Sequence, residues 1–326
     1  MTVMNVRRPH ISGIALAAVT AVGIGTLTAC SSDSAAAGNT DKFDVVASFY
    51  PMAFLAEQIG KDHVKVTSLT EPGQEPHDLE ISARQRAQLE DSDAALYLKG
   101  LQPSVDEAIG QSGLDTKIDA ATLTKLEDHG DVEHDHEGEE AHSEEAHSEE
   151  EGHALDPHVW LDPVKYAEIA KGVGTAFEKA DPDHAADYKK NTEALVKRLG
   201  ALNTEFADGL KDTRSKVFFT NHSAFGYLAE RYGLTQEAIT GVDPDSEPSP
   251  ARMKELQKEA GADGVTTVFY ETLVSDKTAK TLADDAGLKT DVLDPLEGIT
   301  DKSRGDDYFG VMEANLAALK TALGAK

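Results

Sequence analysis

The chain has 326 residues, with 59 Asp plus Glu against 31 Lys plus Arg, so its formal net charge is −28. An apolar share of 40% is enough to build a sizeable core, which argues against wholesale disorder, and the acidic balance argues against nucleic acid, whose phosphates are bound by Lys and Arg that release counterions. A single cysteine excludes a disulfide framework or a Cys-based zinc finger, whereas twelve histidines, unevenly placed, invite attention.

The N-terminus reads as an address. Residues 1–29 carry Arg7 and Arg8, no acidic residue, and an apolar run from Ile11 to Ala29. A basic start, an apolar stretch and small residues at the end are the features of an export signal. Leu27-Thr28-Ala29-Cys30 resembles a bacterial lipoprotein box, which makes Cys30 the expected lipidation site and the first residue of the mature chain. Residues 30–41 follow as a small, polar tether. The expected location is therefore extracytoplasmic, anchored by acyl chains to the bacterial cell membrane.

Beyond the tether, Phe43–Tyr50 reads as a buried strand and Pro51 opens a helix. His63–Leu69 alternates as a strand, Ser82–Leu89 is helical, and Ala94–Leu98 is a short apolar strand. The second half repeats the rhythm: strand Lys216–Thr220, helix Ser223–Tyr232, strand Leu234–Ile239, helix Pro250–Ala260, strand Gly264–Tyr270, helix Asp276–Ala286 and strand Thr290–Leu293. Strands alternating with helices predict parallel βα units. Between the halves, Asp181 and Pro182 read as a helix N-cap and first helical residue. Apolar residues at Tyr188, Leu195, Leu199, Leu202, Phe206 and Leu210 then follow one helical face. A helix to about Lys211 would be about 45 Å long. The expected fold is thus α/β: two Rossmann-like lobes, residues 42–180 and 213–326, joined by one rigid linker helix over residues 181–212.

One segment belongs to neither lobe. Residues 127–151 hold 13 Asp or Glu, no Lys or Arg, and the histidines His129, His134, His136, His142 and His147, with His153 just after. With few large apolar residues, the stretch 127–153 is expected to be a mobile loop. His-rich tracts bind metals through neutral imidazole, so these six histidines are candidates for accessory metal capture.

Outside that segment, His77, His158 and His222 lie in loops beside the ends of secondary structure, where open α/β sheets gather ligands. His77 is in Glu71-Pro-Gly-Gln-Glu-Pro-His-Asp78, His158 in Asp156-Pro-His-Val-Trp-Leu-Asp-Pro163, and His222 in Phe218-Phe-Thr-Asn-His-Ser-Ala-Phe225. Spacing alone leaves open whether they share a metal or serve unrelated hydrogen-bonding roles.

Taken together, the EPxxEPHD, DPHxWLDP and FTNHSAFGYLAERYG stretches, the acidic His-rich loop and the closing LDPLEGIT resemble the zinc-binding receptors of bacterial ABC importers. The resemblance covers residues 43 to 320. It implies two α/β lobes joined by a long helix, with Zn²⁺ as the transported ligand in the cleft between them, and a membrane permease as partner. It implies no enzyme activity and a monomer. Carried over by position, His77, His158 and His222 are the imidazole ligands and Glu297 the fourth, with Asp294 as its alternative. Glu271 is expected to act as a structural group near the cleft. Three imidazoles and a carboxylate suit tetrahedral Zn²⁺, whereas manganese-binding relatives replace the third histidine with a carboxylate. Three rivals remain in view: a manganese or iron receptor of the same fold, a zinc hydrolase with water in the fourth position, and an added adhesin role.

Overall fold

The computed structural model describes residues 42–129 and 155–325. The first lobe contains β1 (Phe43–Ala47), α1 (Tyr50–Gly60), β2 (Val64–Ser68), α2 (Ala83–Glu90), β3 (Ala94–Tyr97), α3 (Pro103–Gln111), β4 (Thr116–Asp119) and α4 (Pro163–Ala180). The long helix α5 (Ala185–Leu210) follows. The second lobe contains β5 (Val217–Thr220), α6 (Gly226–Tyr232), β6 (Thr235–Ala238), α7 (Pro250–Asp263), β7 (Thr267–Tyr270), α8 (Lys277–Ala286), β8 (Lys289–Val292) and α9 (Tyr308–Ala322). Each lobe is built on a four-stranded parallel sheet, in the orders β2-β1-β3-β4 and β6-β5-β7-β8. The two halves therefore share one topology, as the repeated rhythm of the sequence predicts. No described helix is long and apolar enough to cross a membrane.

Strand alternation divides the apolar residues among three cores. Side chains of a strand point to opposite faces in turn, so Val45, Ala47, Ala94 and Leu96 face inward while Val46 and Ala95 join a small cluster with Leu69, Leu89 and Ile109 on the outer face. The second sheet repeats the split: Phe218 and Phe269 face the central core, Phe219 and Val268 an outer one. The central core runs without interruption from β1 through α4 and α5 to α9. Across the lobe boundary, the Tyr308 ring lies 5.4 Å from Phe54 and 4.8 Å from Tyr166. Two lobes that share one apolar core resist a wide hinge opening, because opening would expose that surface to water.

Helix α5 buries the face expected of it, with Tyr188, Leu195, Leu199, Leu202, Phe206 and Leu210 all inside, and it passes Gly200 unbroken. Its start differs from the sequence reading. The Asp181 carboxylate accepts bonds from His184 Nδ1 at 2.8 Å and from the Tyr188 hydroxyl at 2.5 Å, so it does not cap the backbone. A short 3₁₀ turn, Pro182–His184, precedes the α-helix instead. The 26 residues of α5 span about 39 Å. Helix α4 packs alongside it, and a Cβ at Gly174 would come within 2.2 Å of Thr192 Oγ1, so that close approach depends on glycine.

The first strand also stops earlier than its apolar run suggests. It ends at Ala47, and helix α1 begins at Tyr50 with Pro51 in its first turn. Proline fixes φ and lacks the N–H that a strand would need, so the apolar residues after Ala47 enter the helix.

Candidate metal centre

The carboxyl ends of both sheets meet at one place. His77 lies in the loop after β2, His222 two residues past β5, Glu271 directly after β7, and Glu297 five residues past β8. His158 enters from the 3₁₀ turn that precedes α4. His158, His222 and Glu297 are fully buried or nearly so, whereas the His77 side chain retains 12% exposure.

Four donor atoms converge. Glu297 Oε1 is 3.3 Å from His77 Nε2, 3.2 Å from His158 Nε2 and 3.5 Å from His222 Nε2. The Nε2 atoms of His158 and His222 are 3.3 Å apart. A tetrahedral zinc with bonds of about 2.0–2.1 Å has donor–donor edges of about 3.3–3.4 Å. The four measured edges scatter around that value.

The far sides of the rings show which nitrogens are free. His158 Nδ1 donates to Asp156 Oδ1 at 2.8 Å, and His222 Nδ1 donates to Glu271 Oε1 at 2.5 Å. A neutral imidazole with Nδ1 protonated carries its lone pair on Nε2. The two Nε2 lone pairs therefore face each other and a carboxylate oxygen, an arrangement that only a proton or a cation between them makes favourable. Carboxylates behind metal-binding histidines are the usual means of fixing tautomer and ring orientation. The second oxygen of Glu297 is buried without a hydrogen-bond partner, as is that of Glu271.

Protonation follows the same geometry. Burial alone would depress His158 and His222, but Asp156, Glu271 and Glu297 around them raise both, His222 well above its usual range. Burial would raise Glu297, yet hydrogen bonds from His158, His222 and His77 hold it well below the ordinary carboxylate range. The site thus attracts positive charge, whether as protons or as a metal.

Asp294, the alternative fourth donor, faces elsewhere. Its carboxylate accepts from the Leu296 amide at 2.8 Å, Thr272 Oγ1 at 3.2 Å and Ser303 Oγ at 2.9 Å. That clamp holds Leu296 at φ +60°, a conformation costing a non-glycine residue roughly 1–2 kcal/mol. The kink is what turns Glu297 into the cleft. Trp160 secures the same loop from the first lobe, donating Nε1–H to the Pro295 carbonyl at 2.7 Å. A further tie between lobes is Arg231 to Asp162, at 2.6 Å.

Sequence reasoning overlooked Asp156 and Glu75. Asp156 holds His158 by both its ring and its backbone amide, and Glu75 accepts from the backbone of His77 at 3.1 Å. The Asp-Pro-His and Glu-Pro-His pairings were the available signal. Of the accessory histidines, His134, His136, His142, His147 and His153 lie outside the described residues, as do Cys30, the export signal and the tether through residue 41. His129 departs from the expected free loop. It is packed between Asp156 and Glu230, and the Glu127 carbonyl accepts from the Asp156 amide at 3.0 Å. Residues 127–129 are therefore part of the folded body.

Fold and site together define a two-lobed α/β protein that encloses four converging side chains able to hold a metal ion. Residues 45–322 match the model of the family described as zinc-uptake complex component A, periplasmic. The high-affinity zinc uptake system protein ZnuA of Bacillus subtilis is 37% identical over 320 residues, which cover 93% of this chain and 98% of that protein. The zinc-binding lipoprotein AdcA of Streptococcus pneumoniae is 37% identical over 304 residues. Those cover 90% of this chain and 58% of AdcA, so the chain spans little more than half of that relative. The solved Zn(II)-bound ZnuA-like domain of the pneumococcal AdcA superposes with a TM-score of 0.70 at 33% identity, covering 86% of this chain and 99% of that domain. The chain belongs to the zinc-uptake component A family.

Proposed function

We propose that this protein is an extracytoplasmic receptor that captures Zn²⁺ between its lobes and presents it to a membrane ABC importer, making and breaking no covalent bond. His77, His158 and His222 supply three Nε2 donors and Glu297 the fourth. The observation that carries this reading is the tetrahedral spacing of those four atoms, with carboxylates fixing two of the rings from behind. A buried shell of three imidazoles and one carboxylate is closed, which favours storage and release over hydrolysis. The histidine at 222, where a hard-metal receptor would carry an oxygen donor, favours zinc over manganese.

His77 is the one ligand that keeps contact with solvent, so metal enters and leaves by displacement of its loop while the shared core holds the lobes together. The lipid on Cys30 keeps the receptor near its permease, and the receptor works as a monomer. The acidic stretch 130–153 gathers cations weakly and raises their local concentration, an effect screened by salt over about 8 Å at physiological ionic strength.

Zinc titration of the mature protein followed by calorimetry tests the reading. One tight equivalent is expected, and it should persist when residues 131–153 are deleted. Loss of the tight equivalent on deletion would mean that the acidic stretch supplies a primary ligand. Turnover of an ester or peptide by the zinc-loaded protein would favour a hydrolase instead.

A further inference from the structure

We propose that Glu127, His129 and Glu230 form a second, outer binding site for a divalent cation of the zinc type, built at the seam between the lobes. One ligand atom from each of the three lies within 4.8 Å of the others. His129 Nε2 faces Glu230 Oε2 at 3.0 Å, and Glu127 brings a second carboxylate to the same point.

Several features separate this cluster from a chance gathering of surface acids. The His129 ring is oriented from behind, its Nδ1 donating to Asp156 Oδ2 at 2.9 Å. The other oxygen of Asp156 orients His158 in the inner site. One buried carboxylate thus aims two imidazoles, one inward and one outward, and turns Nε2 of His129 towards Glu230, where a cation would take the place of the proton between them. The ring is also seated closely: a Cβ at Gly226 would lie 2.5 Å from the His129 Cβ and 2.9 Å from Asp156 Oδ2, so glycine at the start of α6 is what admits it. The Tyr227 ring closes one side, with its centroid 4.2 Å from that of His129.

Elements from both halves contribute. Glu230 lies on α6 of the second lobe, while Glu127 and His129 precede the acidic stretch of the first. The Tyr227 hydroxyl accepts from the Glu127 amide at 2.8 Å and donates to the Asp156 carbonyl at 2.8 Å, which fixes the backbone on both sides. Lys165 neutralises one oxygen of Glu127 at 3.0 Å. The remaining carboxylate oxygens and the imidazole offer a mixed N,O donor set with open positions for water.

The Glu230 side chain is 58% exposed, and the His129 side chain 14%. An open site of three donors should bind more weakly and exchange faster than the closed inner shell. Its position gives it a use: a cation collected by the acidic stretch would be held at the body of the protein, one carboxylate away from the inner ligand His158. The choice of zinc as the ion rests on the reading of the inner site; the existence of the outer site does not.

Calorimetry with Zn²⁺ alone tests this in a full-length mature background where His134, His136, His142, His147 and His153 are replaced by Asn. A tight equivalent and one weaker equivalent are expected. His129→Gln and Glu230→Gln should each remove the weaker equivalent and leave the tight one, while His63→Gln, in a remote pair with Asp187, should leave both. A weaker equivalent that survives both outer substitutions, or none in the parent, would overturn the proposal. Loss of the tight equivalent in the parent would instead count against the inner site, so the two failures are distinct. Anomalous diffraction from zinc-soaked crystals of the unsubstituted protein is a second check that needs no variant: a peak bounded by Glu127, His129 and Glu230 is expected, and its absence at millimolar zinc would contradict the site.

Discussion

Alanine in place of His222 is expected to remove tight zinc binding. The substitution deletes one of the four proposed donors, and among the described residues the cluster holds only His77, His158 and Glu297 besides it. It also strands Glu271, which is buried and now points its carboxylate at His222 Nδ1. The loss should exceed the roughly 10–100-fold that removal of an orienting partner costs. Glu271→Gln and Asp156→Asn supply that milder comparison, since each leaves the imidazole in place but weakens its support. His77→Ala should fall between these extremes, because water can reach its position. Direct titration, or competition against a chelator of known affinity, ranks the series. Tight zinc binding by His222→Ala would show that the ligands are misassigned.

Zinc affinity and metal-free stability should respond to pH in opposite directions. His158 and His222 are held above the reference value of 6.5 by neighbouring carboxylates. A raised histidine contributes stability that is fully present below pH 6.5 and is lost as pH rises through its folded-state value. Glu297 is depressed, so its contribution is present above 4.5 and fades as pH falls through its lowered value. The metal-free protein should therefore gain most from this cluster between about pH 4.5 and 6.5. Zinc must displace the protons on the two raised histidines, so its affinity should rise with pH by up to about two powers of ten per unit through the neutral range. Thermal melts with and without zinc from pH 5.5 to 8.5 measure both trends, and the stabilisation by zinc should widen as pH rises. A stabilisation independent of pH would argue against imidazole ligands.

Much of this architecture can be read from residue order. Near-continuous apolar runs in residues 43–47 and 217–220 mark strands buried on both faces, and the apolar face from Tyr188 to Leu210 marks the long helix. The four residues singled out by motif are the four that the fold brings together. The choice between Glu297 and Asp294 could not be made from spacing, because it depends on a left-handed turn at Leu296 that only tertiary contacts with Asn315, Ser303 and Trp160 stabilise. Helices α4 and α9 were also missed. In α4 the apolar face is interrupted by Gly172 and Gly174, which serve close packing against Leu123 and Thr192 and dilute the periodic signal. The misplacement of His129 has a comparable cause. Composition assigns it to the acidic tract, while its actual position is set by Asp156 and Glu230, 27 and 101 residues away.

X-ray absorption at the zinc edge, on the mature protein loaded with one equivalent, examines the inner shell itself. Three imidazole nitrogens at about 2.0–2.1 Å and one carboxylate oxygen at about 2.0–2.2 Å are expected, with one nitrogen lost in His222→Ala. A six-coordinate, oxygen-rich shell, or one unchanged by that substitution, would contradict the assignment of His77, His158, His222 and Glu297 as the zinc site.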